Sequence, residues 1–255
     1  MTIYSHSRIS AFEQCPLKFK FRYIDKLTPE IECTIEAYLG EKVHETLEWL
    51  YLKILEKRNL QLEDAIEYYA KSWKRDFKEE IKIVNTNLTF EYYFDKGIKF
   101  LIDYFIKNYP FLDNTIAIEH QVTIDLNNDG KYMLQGYIDR LVHNNESNIF
   151  EIHDYKTGSI KTQEELNKDR QLALYSIGIR KEFNASDVHL IWHFLDFNQK
   201  MISKRTEEQL ESLKQDIINL INKIESTTIY PASPSPLCKW CEFGKYCEQT
   251  KAFTN

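Results

Sequence analysis

The spacing of apolar residues along the chain changes from a helical period to a strand period near residue 115. Before this point, apolar residues recur every three or four positions over about residues 34–57, 62–84 and 88–108, which predicts three helices. Beyond it, Ile116, Ile118, Val122 and Ile124 alternate with smaller or more polar residues, which predicts a strand. The sequence Asn-Asn-Asp-Gly at residues 127–130 then predicts a hairpin turn.

The second half of the chain predicts a sheet with one crossover helix. Two more strands are expected, one on either side of the polar loop at residues 143–148. They are followed by a helix over about residues 163–183, a strand over 188–194, a short strand over 200–204 and a helix over about 207–226. Helices that precede strands joined by a crossover helix indicate an α/β or α+β core with an added helical part.

The N-terminal segment combines a predicted helix with basic and aromatic residues. Ser7 and Ser10 are cap-type residues ahead of an apolar periodicity, so a helix is expected to start near one of them. Cys15 would lie in this helix or at a break made by Pro16. Basic and aromatic residues are interleaved here: Arg8, Lys18, Phe19, Lys20, Phe21, Arg22, Tyr23 and Lys26. This composition favours equally a surface for phosphates and unstacked bases and an amphipathic helix with a solvated face.

Length, composition and charge restrict the class of protein. With 255 residues and no clean linker, the chain is expected to form one domain with a large core. Its formal net charge of −6 gives no overall signature of a nucleic-acid-binding protein, so such binding would depend on local basic patches or on bound metal ions. No apolar run is long enough to span a membrane and the N-terminus lacks a signal-peptide pattern, so a soluble cytoplasmic protein is expected.

A candidate metal site lies on the two strands that follow the hairpin turn. Asp154 and Lys156 are two residues apart in a strand and therefore share a face of the sheet. If this strand pairs with the preceding one, Asp139 reaches the same point. Two carboxylates beside one ammonium can hold a divalent cation and an activated water, although an exposed salt-bridged hairpin would carry the same residues. Glu119 on the first strand is a third acidic candidate, for which a surface position is the commoner explanation.

Four residues on predicted helices are further candidates. His44 lies beside the apolar stripe of the helix over residues 34–57, where a histidine is more often a packed core residue than a metal ligand. Gly40 in the same helix costs roughly 1 kcal/mol relative to alanine, which suggests that another backbone element approaches closely. Gln171 and Tyr175 are four residues apart and therefore lie on one face of the crossover helix.

The five cysteines are expected to bind metal or to react rather than to form disulfides, because the compartment is expected to be reducing. Cys238, Cys241 and Cys247 lie close together after a proline-rich lead, and two thiolates separated by two residues can hold one metal centre. A fourth thiolate would come from Cys15 or Cys33, and Cys15 in the first helix is the better candidate. Spacing alone slightly favours zinc over an iron–sulfur cluster.

Taken together, these residues resemble the PD-(D/E)XK nucleases of the RecB and AddB nuclease-domain type, which include CRISPR-associated iron–sulfur nucleases and stand-alone single-strand exonucleases. The resemblance covers nearly the whole chain, and residues 60–110 are its least diagnostic part. The matching segments are Ser10-Ala11-Phe12-Glu13-Gln14-Cys15-Pro16, Leu39-Gly40-Glu41-Lys42-Val43-His44, Gly136-Tyr137-Ile138-Asp139-Arg140, Asp154-Tyr155-Lys156-Thr157-Gly158, Gln171-Leu172-Ala173-Leu174-Tyr175 and the trio Cys238, Cys241 and Cys247. The motifs stand in the family's order, and the sequence departs from the family's name where Ile138 precedes Asp139 in place of proline.

The resemblance implies an α/β fold with a restriction-endonuclease-like central mixed sheet flanked by helices. It also implies an active site in which Mg²⁺ or Mn²⁺ is held by His44, Asp139, Asp154 and the backbone carbonyl of Tyr155. Lys156 would orient the attacking water and stabilise the transition state, and Glu119 would hold a water on the metal. Gln171 and Tyr175 would position the nucleic-acid strand.

The resemblance further implies a [4Fe–4S] cluster, in preference to zinc, held by Cys15, Cys238, Cys241 and Cys247. In the implied domain layout, residues 1–255 form one nuclease domain. Residues 60–112 would be a helical insertion, and residues 230–250 a cluster segment that closes onto the N-terminal helix.

The function that the resemblance implies is metal-dependent hydrolysis of single-stranded DNA from an end, in repair or recombination. One alternative is a CRISPR-associated adaptation nuclease that trims spacer precursors, and another is a non-catalytic DNA-binding module. The binding module is disfavoured because His44, Asp139, Asp154 and Lys156 are all present. A helicase or CRISPR adaptation proteins would be further partners, and no membrane is expected among them.

Overall fold

A computed structural model gives the structure of residues 2–249, so the outer ends of the expected 1–255 domain and 230–250 segment lie outside the described residues. The helices are α1 (His6–Gln14), α2 (Pro16–Phe19), α3 (Ile35–Leu55), α4 (Leu62–Asp76), α5 (Phe90–Asn108), α6 (Gln163–Lys168), α7 (Gln171–Phe183) and α8 (Glu207–Ser226). The strands are β1 (Thr115–Asp125), β2 (Met133–Asn144), β3 (Ile149–Lys156), β4 (Val188–Phe194) and β5 (Gln199–Ser203). A π-helical turn at Lys20–Ile24 follows α2, and short 3₁₀ turns lie at Leu195–Phe197, Pro236–Trp240 and Gly244–Tyr246.

Side-chain caps set where the first helices begin. The N-cap of α1 is Ser5, whose Oγ accepts the Arg8 N–H at 3.1 Å, so the helix begins one residue before Ser7, near one of the two predicted starts. The predicted break at Pro16 is confirmed, because Cys15 is extended and Pro16 starts α2.

Two predicted helices are wrong in extent. The helix expected over residues 62–84 ends at Asp76, because Lys82 forms a backbone bridge beside Thr34. The Lys82 carbonyl accepts the Ile35 N–H at 2.9 Å, and the Lys82 N–H donates to the Cys33 carbonyl at 3.0 Å. These bonds use backbone groups that a longer helix would need.

The helix expected over residues 163–183 is divided into α6 and α7. Asp169 Oδ1 accepts the Gln171 N–H at 3.0 Å, which satisfies the first backbone donor of α7. The Arg205 guanidinium donates to the carbonyls of Leu166 and Asp169 at 2.7 and 2.9 Å, which satisfies the backbone at the end of α6.

The five strands form one mixed sheet in the order β1-β2-β3-β4-β5. Strands β3 and β4 are parallel and are joined through α6 and α7, whereas the other neighbouring strands are antiparallel. Tyr4 adds a short parallel bridge beside Leu134 of β2, with backbone bonds of 2.9 and 2.8 Å to Met133 and Gln135. The predicted α/β fold with a mixed sheet is therefore confirmed.

Helices cover both faces of the sheet. One core lies between the sheet and α1, α7 and α8, and it includes Ile152, Leu174 and Ile217. A second core is formed by α3, α4 and α5 together with Tyr155 of β3. The active-site strands are thus fixed from both sides by buried apolar side chains. Among residues 2–249, no helix has the length and hydropathy that a membrane span requires.

Candidate active site

The two central strands separate where the acidic residues stand. The ladder between β2 and β3 ends at the pair Arg140 and His153, so the next pair would be Asp139 and Asp154. Beyond this point β2 stays paired with β1, and β3 stays paired with β4 as far as Lys156. Asp139, Asp154 and Lys156 therefore lie where β2 and β3 diverge, and each strand is still hydrogen-bonded to its outer neighbour.

Asp139 is held by the backbone of the neighbouring strand. Its Oδ2 accepts the Tyr155 N–H at 2.9 Å, a donor that the ended ladder leaves free. His44 on α3 reaches the same point, because its Nε2 donates to the Tyr155 carbonyl at 2.7 Å and its Nδ1 lies 3.4 Å from Asp139 Oδ2. The imidazole, the carboxylate and the carbonyl that were predicted as metal ligands therefore lie together.

Asp154 and Lys156 lie on one face of β3, as predicted. Lys156 Nζ lies 3.0 Å from Asp154 Oδ1 and 2.7 Å from Oδ2, but only the contact with Oδ1 has hydrogen-bond geometry. Asp154 Oδ2 is therefore buried without a hydrogen bond. Burial disfavours the charged ammonium, but the carboxylates of Asp154 and Asp139 outweigh it and raise the pKa of Lys156. Gln171 Oε1 accepts from the same Nζ at 3.3 Å, which places α7 beside the site.

Glu119 on β1 lies opposite Asp139 on the neighbouring strand β2. Ile118 pairs with Arg140 and His120 pairs with Ile138, and Glu119 between them has a φ of 48°. This positive φ is uncommon for a residue with a side chain. Burial and the charge of Asp139 raise the pKa of Glu119 to about 7. Burial and the charge of Asp154 raise the pKa of Asp139 to about 6.

Glu48 is a site residue that the sequence analysis missed. Its charge also raises the pKa of Glu119, so it lies near the carboxylates. It follows His44 by four residues and therefore shares its face of α3. This spacing was a usable signal, since a second polar residue on the face of a predicted ligand points into the same site.

Two glycines permit close packing around the site. A Cβ on Gly40 would lie 3.2 Å from Thr157 Oγ1, so the close neighbour of this glycine is a side chain and not the backbone element that was expected. A Cβ on Gly136 would lie 2.2 Å from the Tyr175 ring, so only glycine leaves room for this side chain at β2. Tyr175 of α7 thereby packs directly on the strand that carries Asp139.

The opposite face of the same strands carries a buried polar network that was not predicted. Arg140 is 1% exposed, and its Nε donates to the Tyr155 hydroxyl at 3.0 Å. The same guanidinium contacts His153 Nδ1 at 2.7 Å and forms an ion pair with Asp113. The Tyr155 hydroxyl also lies 3.2 Å from that of Tyr104. These bonds fix the residue whose N–H and carbonyl contact Asp139 and His44.

The donor set suits a hard divalent cation. Among residues 2–249, no three His, Cys, Asp or Glu side chains already surround a point as metal ligands. Two carboxylates, a carbonyl and an imidazole are nevertheless groups that Mg²⁺ or Mn²⁺ accepts. Asp154 Oδ2 has no hydrogen bond to lose, and a cation would relieve the repulsion between Asp154 and Asp139.

This arrangement of residues agrees with a family match over almost the full chain. The model of the PD-(D/E)XK nuclease superfamily matches residues 3–248. The chain belongs to the PD-(D/E)XK nuclease superfamily. Membership implies a phosphodiester hydrolase of a kind that typically uses divalent metal ions such as Mg²⁺ or Mn²⁺.

One solved structure agrees with the fold of this nuclease, and a second has a lower similarity. A candidate exonuclease from Eubacterium rectale is similar with a TM-score of 0.55 and 12% identity, over 96% of this chain and 87% of that one. Its fold supports the restriction-endonuclease-like assignment of the mixed sheet. The protein SSO0001 has a TM-score of 0.36 and 18% identity, over 83% of this chain and 85% of that one. No curated protein sequence matches the nuclease significantly.

The four cysteines that were predicted as cluster ligands line one cavity of the nuclease. The cavity measures about 240 Å³, and its lining includes Cys15, Cys238, Cys241 and Cys247 but not Cys33. Within residues 2–249, none of the five cysteines forms a disulfide. Cys15 Sγ accepts the N–H groups of Lys18 and Ser233 at 3.5 and 3.4 Å, and Cys238 Sγ accepts that of Ser235 at 3.3 Å.

The C-terminal segment packs against the N-terminal segment through polar and aromatic contacts. Glu242 forms ion pairs with Lys18 at 3.3 Å and Arg22 at 2.5 Å. Phe243 packs against Phe21 with ring centroids 6.0 Å apart. Lys18, Phe21 and Arg22, which belong to the interleaved basic and aromatic residues, therefore bind the C-terminal segment.

Proposed function

We propose that this nuclease hydrolyses phosphodiester bonds of single-stranded DNA from an end, in repair or recombination. The observation that carries the proposal is the convergence of His44, Asp139, Asp154 and Lys156 where β2 and β3 separate. The exonuclease assignment draws support from the named activity of the Eubacterium rectale protein and from the resemblance to the RecB and AddB type.

His44, Asp139, Asp154 and the Tyr155 carbonyl would hold the divalent cation. When bound, the cation would lower the pKa of a coordinated water and offset the charge of the scissile phosphate. The imidazole favours Mn²⁺ over Mg²⁺, because Mg²⁺ prefers oxygen ligands.

The remaining residues would act on the water, the proton and the strand. Lys156, protonated and held by Asp154, would orient the attacking water and stabilise negative charge that develops on the phosphoryl oxygens. Glu119 would hold a water and accept its proton, because its pKa of about 7 suits a group that gains and loses a proton near neutrality. Gln171 and Tyr175 would position the strand.

We also propose that Cys15, Cys238, Cys241 and Cys247 hold a [4Fe–4S] cluster. The shared cavity and the N–H groups directed at two of the sulfurs support this, since such bonds stabilise thiolates on a metal centre. The cluster would tie the N-terminal helix to residues 230–250, and residues 60–112 would be a helical insertion in one nuclease domain. Zinc is the alternative metal.

The substrate is tested with linear and circular single strands, labelled at either end or internally. The proposal predicts that linear strands are shortened from one end in Mg²⁺ or Mn²⁺ and that circles remain intact. Cleavage of circles would replace the exonuclease by an endonuclease. Tight binding of single strands without cleavage in either metal would instead support a non-catalytic binding module.

A further inference from the structure

A second cleft lies next to the catalytic residues. It measures about 620 Å³, which is within the usual range of roughly 300–1,000 Å³ for ligand pockets. Gln171 and Tyr175 are among its lining residues, and Gln171 accepts from the catalytic Lys156 at 3.3 Å. The cleft is therefore continuous with the active site.

The cleft exists because the N-terminal segment lies beside β2 where β3 has separated from it. Tyr4 bonds to the backbone of Met133 and Gln135, and the chain then continues through Ser5 to Arg8 along one wall. Gly136 and Tyr137, just before Asp139, form the facing wall. The N-terminal segment is therefore attached to β2 through Tyr4 and borders the cleft with the residues that follow.

Arg8 is a cation in this cleft that has no counter-ion in the part of the chain that the structure describes. Its guanidinium lies 5.1 Å from the ring of Tyr4 and 5.0 Å from the ring of Tyr23, which hold it in place. Its Nε is buried without a hydrogen-bond partner, and no carboxylate of residues 2–249 forms an ion pair with it. A buried donor left unsatisfied is costly, so a ligand acceptor at this point would be favoured.

Three neighbouring basic residues have a carboxylate partner, whereas Arg8 has none among residues 2–249. Lys18 and Arg22 are paired with Glu242, and Lys20 is paired with Asp25 at 2.5 Å. Of the interleaved basic and aromatic residues in this part of the chain, only Arg8 and Tyr23 line the cleft. Composition left open whether these residues form a surface for phosphates and bases or a solvated helix face. The lining of the cleft assigns the first role to Arg8 and Tyr23.

The chemistry of the lining suits an unpaired polynucleotide. Among residues 2–249, no Asp or Glu lines the cleft, although the protein carries a net charge of −6. Tyr137 is 51% exposed and its hydroxyl accepts from Gln135 at 3.3 Å, so an aromatic face is presented beside the cation. A guanidinium binds phosphate, and tyrosine faces stack on unpaired bases.

We propose that this cleft is a substrate subsite that holds the nucleotides next to the scissile bond. Arg8 binds a backbone phosphate, and Tyr137 stacks on a base. The proposal rests on the single-strand nuclease function, and it adds that the strand leaves the active site past Tyr175 toward the N-terminal segment. A base must be unpaired to reach Tyr137, so the subsite favours single strands over duplexes.

The test is fluorescence anisotropy of a labelled oligothymidine with the full-length protein in EDTA, so that binding is measured apart from cleavage. Tyr137→Ala is expected to weaken binding about fivefold or more. Arg8→Gln is expected to reduce the salt dependence of log K by about 0.7, the value for one phosphate contact in a single strand. Arg8→Lys should restore the salt dependence, which separates lost charge from lost packing.

Matched controls are Arg58→Gln and Tyr92→Ala, which lie on the helical part and are exposed, Tyr92 at 46%. They should bind as the wild type does. Wild-type affinity and salt dependence in both Arg8→Gln and Tyr137→Ala would overturn the subsite, even if the wild type cleaves single strands. Weaker binding by both variants with no cleavage by the wild type would instead retain the subsite and refute the nuclease function.

Discussion

Asp139 Oδ2 accepts a hydrogen bond of 2.9 Å from the N–H of Tyr155, and this bond replaces the ladder at the point where their strands separate. The carbonyl of the same Tyr155 accepts from His44 at 2.7 Å. Tyr155 of β3 therefore aligns the imidazole of His44 on α3 and the carboxylate of Asp139 on β2. Its side chain is held on the opposite face by Arg140, so the alignment has support from the core.

Lys156→Met should lower kcat for single-strand hydrolysis by about 10²–10³-fold, because a preorganised positive charge at the phosphoryl group is lost. The matched control is Lys168→Met, since Lys168 is 74% exposed and pairs with Glu164 on α6. Steady-state rates of both variants check this prediction. Activity of Lys156→Met within about threefold of the control would remove Lys156 from the mechanism.

Glu119→Gln should change how stability depends on pH in the absence of metal. The pKa of Glu119 is about 7 in the folded protein and about 4 in the unfolded chain, so the folded state binds more protons between these values. The stability that Glu119 contributes is therefore lost as pH rises through this window. The melting temperature of the variant minus that of the wild type should therefore increase as the pH rises from about 5 to about 8. A constant difference would contradict the raised pKa.

Metal binding should depend on the protonation state of the Asp139 carboxyl group. Asp139, with a pKa of about 6, must be deprotonated to bind a cation. Mn²⁺ should therefore raise the melting temperature of the wild type more at about pH 8 than at about pH 5, and Asp139→Asn should abolish the difference. Equal stabilisation at both pH values would place the metal elsewhere.

Gly136→Ala should destabilise the protein by about 1–3 kcal/mol, because the added methyl group would overlap the Tyr175 ring. The control is Gly158→Ala, since a Cβ there would meet no atom within 4 Å. Denaturant unfolding measures both variants. Equal stability of the two would show that Tyr175 moves away at little cost.

Cys15→Ser should lower the iron content of anaerobically purified protein, whereas Cys33→Ser should leave it at about four iron atoms per chain. The reason is that Cys15 lines the cavity of the C-terminal cysteines and Cys33 does not. Iron and zinc are measured by metal analysis. A wild-type protein that contains zinc and no iron would refute the cluster.

The regular elements were predictable because their signals are local. The helix over residues 207–226 and the strand over 188–194 have the predicted bounds, since their apolar periods are uninterrupted. The face shared by Asp154 and Lys156 follows directly from strand geometry. The helix over 62–84 was too long because a distant backbone bridge from Lys82 to Thr34 competes with it, and periodicity carries no sign of such a bond.

Site features that depend on separate elements were not predictable from local pattern. The end of the β2–β3 ladder, the positive φ of Glu119 and the Arg140 network arise from contacts between residues far apart in sequence. Likewise, composition did not distinguish Arg8 from Lys18 and Arg22. The difference lies in the position of Glu242, which is paired with the latter two.

The most direct measurement of the proposed activity compares wild type with Asp154→Asn on an end-labelled linear single strand in Mn²⁺ and in EDTA. The wild type should shorten the strand in Mn²⁺ and leave it intact in EDTA. Asp154→Asn should leave it intact in both while retaining a wild-type melting profile. Shortening of the strand by Asp154→Asn at the wild-type rate, or no shortening by the wild type in Mn²⁺ or Mg²⁺, would contradict the assignment of the active site.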